Sequence, residues 1–73
     1  MAYLKTSIYA DWTMEATEHQ TRQAIGNLPV ITRFSTEDNV HLDVVIEGKK
    51  GVLKHIKNNL IDAFGDQLDF DTF

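Results

Sequence analysis

Between residues 3 and 10 the chain alternates. Leu4, Thr6, Ile8 and Ala10 fall on one side of an extended backbone, with Tyr3, Lys5, Ser7 and Tyr9 on the other. Period two in a stretch rich in β-branched and aromatic residues predicts a strand. Asp11 and Thr13 then offer the short oxygen-bearing side chains that cap a helix start. In "MEATEHQTRQAIGNL", Met14, Thr17, Thr21, Ala24, Ile25 and Leu28 recur at helical spacing, though two of them are threonine, which thins the apolar stripe. Glu18 and Arg22 stand four apart, where opposite charges meet on a helix. Gly26 is placed to end this helix, and Pro29 prevents its continuation.

The segment "VITRFSTEDNVHLDVVIEG" predicts a hairpin turning at Ser35–Asn39. After the turn Val40, Leu42, Val44 and Ile46 share one face, and His41, Asp43, Val45 and Glu47 the other. Before it, Val30, Thr32 and Phe34 are placed inward. In "GVLKHIKNNLIDAFG", Leu53, Ile56, Leu60, Ala63 and Phe64 form an apolar helical stripe that stops at Gly65. "QLDFDTF" alternates again, with Leu68 and Phe70 inward and Asp69 and Asp71 outward, which predicts a closing strand whose aspartates discourage edge-to-edge pairing.

The order strand, helix, strand, strand, helix, strand contains two split βαβ units. It predicts one α+β domain over residues 1–73: a ferredoxin-like βαββαβ sandwich with a four-stranded antiparallel sheet and both helices on one face. The first and third strands are expected in the centre. The expected core comprises Leu4, Ile8, Ile25, Val40, Leu42, Val44, Ile46, Leu53, Ile56, Leu60, Phe64, Leu68 and Phe70. Trp12 is expected to cap the core edge; Phe73 faces the same choice between capping and exposure.

Composition narrows the function. At 73 residues the chain sits near the lower limit for a stable single core, and without cysteine it has neither disulfides nor thiolate metal sites to help. Core packing and self-association remain. The lack of cysteine fits a reducing cytoplasm. No apolar run reaches the ~20 residues of a membrane span, and the start "MAYLKTSIYADW" does not read as a secretory signal. The net charge of −4 argues against a nucleic-acid binder and leaves room for a basic protein partner. Charge is uneven: Lys49, Lys50, Lys54 and Lys57 lie in one short segment, while "DAFGDQLDFDTF" carries four aspartates and no base.

No catalytic constellation stands out. His19, His41 and His55 lack metal-ligand spacing, and His41 near Asp43 reads as a surface pair. No cofactor is implied, and a free-standing enzyme is not expected. The uncovered sheet face would carry Tyr3, Lys5, Tyr9, Arg33, His41, Asp43 and Val45, with Trp12 beside it: aromatics with a charged rim, as in protein interfaces.

"EGKKGV" sets two glycines around two lysines, where backbone N–H groups at a helix start could receive an anion. Gly48-Lys49-Lys50-Gly51 resembles the GxxG backbone-clamping loop of KH domains, a resemblance confined to these four residues. Gly48, Lys49, Lys50, Gly51 and Lys54 are therefore the candidate anion or nucleic-acid residues. RNA-recognition domains share the expected topology, but their aromatic and basic platform motif is missing, as is the phosphate loop of acylphosphatases. ACT-type regulatory dimers share it too; Asp11-Trp12-Thr13 stands where they carry a glycine-containing loop. The expected function is a non-catalytic protein-interaction module: a homodimer, an adaptor, or an inhibitor of a larger protein, for which small virus-encoded inhibitors offer an analogy of size and charge.

Overall fold

The computed structural model describes residues 2–71, Asp71 by its backbone alone. In chain order come β1 (Ala2–Tyr9), α1 (Met14–Ile25), β2 (Ile31–Ser35), β3 (His41–Gly48), α2 (Lys50–Phe64) and β4 (Leu68–Asp71), with a 3-10 turn, Gly65–Gln67, leading into β4. The protein is thus α+β, with a four-stranded sheet in the order β2-β3-β1-β4 and every neighbouring pair antiparallel. Phe73 lies outside the described residues, and so does the outward placement expected for the Asp71 side chain.

Register sorts the side chains. Ile8 stands opposite Leu42 on one side and Leu68 on the other; Thr6 stands opposite Val44 and Phe70; Leu4 stands opposite Ile46. On β3 burial alternates residue by residue, with Leu42, Val44, Ile46 and Gly48 inward. On β2, Thr32 and Phe34 are half-buried between exposed Ile31, Arg33 and Ser35. Both helices lay their apolar stripes on this one face: Ile25 of α1 and Leu53, Ile56, Leu60 and Phe64 of α2 join Ile8, Leu42, Val44 and Ile46 in a single cluster. The other face has no helix over it.

The threonines that thin the α1 stripe still enter the core. Thr21 is fully buried, and its hydroxyl donates to the Thr17 carbonyl at 2.7 Å; Thr17 donates likewise to the Thr13 carbonyl at 2.9 Å. Buried Thr6 donates from β1 to the Asp69 carbonyl at 3.0 Å. Among the described residues no buried side-chain nitrogen or oxygen lacks a hydrogen bond, so these polar groups avoid the desolvation cost of an orphan. Thr13 is the N-cap of α1, its hydroxyl accepting from the Ala16 N–H at 3.0 Å. The Glu18–Arg22 pair forms at 3.0 Å, and Arg22 also lies over the Phe34 ring.

One expected core residue, Val40, and the expected cap, Trp12, lie outside the core. Val40 is exposed, because the Asp38 carboxylate gathers the N–H groups of both Val40 and His41 at 2.9 Å. That holds Val40 in the turn, where its carbonyl accepts from Ala10, and the strand begins at His41. Trp12 does not cap the core edge: it is 90% exposed, in the short turn between Tyr9 and the Thr13 cap. Leu4, Leu68 and Phe70 pack against the core only half-buried, as expected of residues near the sheet's ends and edge.

Candidate interaction surfaces

The expected sheet-face residues trace to the pleat, while Trp12 stands in the turn after β1. Tyr3, Lys5, Ser7 and Tyr9 leave β1 on the uncovered side, as do Arg33 on β2 and His41, Asp43, Val45 and Glu47 on β3. Pairing aligns them in rows: Ile31, Glu47 and Tyr3; then Arg33, Val45 and Lys5; then Ser35, Asp43, Ser7 and Asp69; then His41 and Tyr9. Ile31 was missed from sequence because Val30 and Ile31 are both apolar and only one can face inward. At 54% exposed it joins Tyr3, at 51%, and half-buried Val45 around a shallow hollow also lined by Arg33 and Glu47. A hydrogen bond with Glu47, reinforced by its charge, holds the Tyr3 phenol above its ordinary pKa.

The far end of this face is acidic. Tyr9 and His41 meet edge to face, with ring centroids 5.7 Å apart. Around them Glu37, Asp38, Asp43, Asp66 and Asp69 line a cleft of about 460 Å³ that no lysine or arginine enters. The ring partner of His41 is Asp38, at 2.8 Å between Nδ1 and Oδ2, rather than Asp43. Hydrogen bonds from the His41 N–H and ring, then from the Val40 N–H, hold the Asp38 carboxyl well below the usual carboxylate range. Among the described residues no three His, Cys, Asp or Glu side chains gather to hold a metal ion.

The opposite end is basic and apolar. Ala2 pairs with Gly48 and α2 begins at Lys50, so the start of β1 and the start of α2 lie together. There a groove of about 940 Å³ runs between Ala2, Tyr3, Leu4, Lys5 and Val45 on the sheet and Lys50, Leu53, Lys54 and Lys57 on the helix.

The candidate anion residues divide between elements. Gly48 is the last residue of β3 and is buried, Lys49 is the N-cap, and Lys50 and Gly51 already belong to the first turn of α2. GxxG here is a one-residue strand-to-helix junction, not a loop. Lys50 and Lys54 lie on the groove with Lys57. Lys49 makes no side-chain cap hydrogen bond, and the first turn of α2 holds no acidic residue. Lysines at the positive end of a helix dipole oppose it. Lys50→Glu should therefore raise stability by about 0.3–1 kcal/mol, read as a higher urea midpoint with unchanged m-value.

Comparison with known proteins finds no family model, no curated protein and no solved structure that matches the chain. Among the described residues no helix is long and apolar enough to cross a membrane.

Proposed function

We propose that this protein is a non-catalytic protein-interaction module, a ferredoxin-like sandwich that docks a partner on the open face of its sheet as a homodimer, an adaptor or an inhibitor. The sandwich reading is supported by the strand order β2-β3-β1-β4 and by the single core that both helices share. The interaction reading rests on one observation: the face without helices keeps Tyr3, Tyr9 and Ile31 about half exposed, with charges of both signs around them. Large rigid side chains inside a polar rim are what interface hot spots require. The lack of cysteine suits a reducing, cytoplasmic setting.

The test is recovery of a partner on immobilised protein, with Ile31→Asp/Tyr9→Ala beside the parent. Both positions are exposed, so the fold should survive. The parent should retain a stoichiometric protein, and the variant should bind it about 10–100-fold more weakly, as expected for two hot-spot residues. Equal recovery by both would defeat the sheet-face reading. An eluate of nucleic acid that salt removes would transfer the function to the lysines of α2.

A further inference from the structure

We infer that the protein associates head to tail: the Trp12 turn of one molecule seats in the lysine-lined groove of a second copy. The groove shares Tyr3, Lys5 and Val45 with the open sheet face, while Trp12 and the lysines of α2 lie outside that face. The chain's one tryptophan is, at 90%, the most exposed large hydrophobic side chain among the described residues. The turn that carries it is fixed, since Thr13 both caps α1 and accepts the Thr17 hydroxyl through its carbonyl. Asp11 shares its hollow, Glu15 lies in the first turn of α1, and Asp66 lines the adjoining cleft. The projection is thus an indole with one carboxylate, Asp11, in its own hollow and two more on the neighbouring elements.

The receiving surface is its complement. Leu4 and Leu53 give the groove an apolar floor, and Lys50, Lys54 and Lys57 recur at i, i+4 and i+7 along one side of α2. An indole entering there leaves water and meets ammonium groups suited to its ring face, while Asp11, Glu15 and Asp66 come to the same lysines. The placement of Lys50 also gains a reason: in the first turn of α2 it opposes the helix dipole, and local rules are broken most often where a site needs it.

Projection and groove lie at opposite ends of β1, roughly 23 Å apart at about 3.3 Å per residue, so one molecule cannot satisfy both. Each molecule offers one of each. The contact closes as an antiparallel two-fold pair where both sites engage at once, and otherwise builds a ring or an open chain.

Two variants test this by complementation. Trp12→Ala keeps the groove and loses the projection; Lys50→Glu/Lys54→Glu keeps the projection and reverses the groove's charge. All three positions are exposed, so circular dichroism should report the native fold. The parent should grow in sedimentation-average mass with concentration, with Trp12 emission moving to shorter wavelength and salt reversing both. Each variant alone should stay monomeric, with association at least about tenfold weaker. Mixed in equal amounts they should form a 1:1 dimer and nothing larger, and Ile31→Asp/Tyr9→Ala should associate like the parent. The inference is overturned if the parent stays monomeric at millimolar concentration, if the mixture stays monomeric, or if Trp12→Ala associates like the parent. It is overturned equally if self-association is lost only in the sheet-face variant.

Discussion

Leu60→Ala should cost about 2–5 kcal/mol, the range for deleting a fully enclosed leucine. Leu60 has no exposed surface and sits in the shared cluster of α2, α1 and the sheet. Collapse around the gap is resisted nearby, because the neighbouring Asn59 side chain donates to the Ala24 carbonyl at 3.2 Å and fixes α2 against α1. A domain of this length has a total stability of roughly 4–11 kcal/mol, so one deletion removes a large part of it. Urea unfolding followed by circular dichroism is the measurement, in dilute solution to exclude association. A loss under about 1 kcal/mol would mean that the two-helix layer closes freely over the cavity, against the close packing described.

The second large effect is expected at Gly48. A methyl group there would stand 2.8 Å from Val30 Cγ1, with Leu53 Cδ2 and the Pro29 carbonyl oxygen each at 3.7 Å. The Val30 side chain is stiff about χ1, and its N–H is tied to the Leu28 carbonyl at 2.9 Å, so the obstruction cannot simply rotate away. Gly48→Ala should therefore cost about 1–3 kcal/mol, as overpacking does. The cause is identifiable: Val30→Ala removes the obstructing methyl groups, and Val30→Ala/Gly48→Ala should be more stable than the sum of the single losses by roughly 0.5–3 kcal/mol. Strict additivity would place the strain elsewhere. The first glycine of "EGKKGV" then belongs to packing between β3 and the segment before β2, and the lysines belong to a different surface.

Periodicity carried the strands well. Alternation in β1 and β3 placed Ile8, Leu42, Val44 and Ile46 inward, and Val30, Thr32 and Phe34 face the core although two adjacent apolar residues left that register open. Alternation failed where a side chain overrode it: Asp38 recruits the Val40 N–H into the turn, and no count of apolar positions contains that hydrogen bond. The exposure of Trp12 was hidden for a related reason, since a residue three past the end of a strand can turn either way. The lysines were visible as a segment, and their spacing is helical. What the sequence could not contain was the tertiary fact that the start of β1 lies beside these lysines and forms a groove with them.

The sheet order also sets a timetable. β1 is synthesised first among the strands, yet both its neighbours come late: β3 after the whole of α1 and β2, and β4 after everything else. The hydrogen bond from Thr6 to Asp69 alone spans 63 residues. Contacts of such separation form only after a long loop has closed, so nucleation should lie in the β2–β3 hairpin and the α2 face it meets, with β1 inserted afterwards. A growing chain must therefore carry the apolar side of β1 unpaired until translation has passed β3, and the outer edge of β1 until it has passed β4.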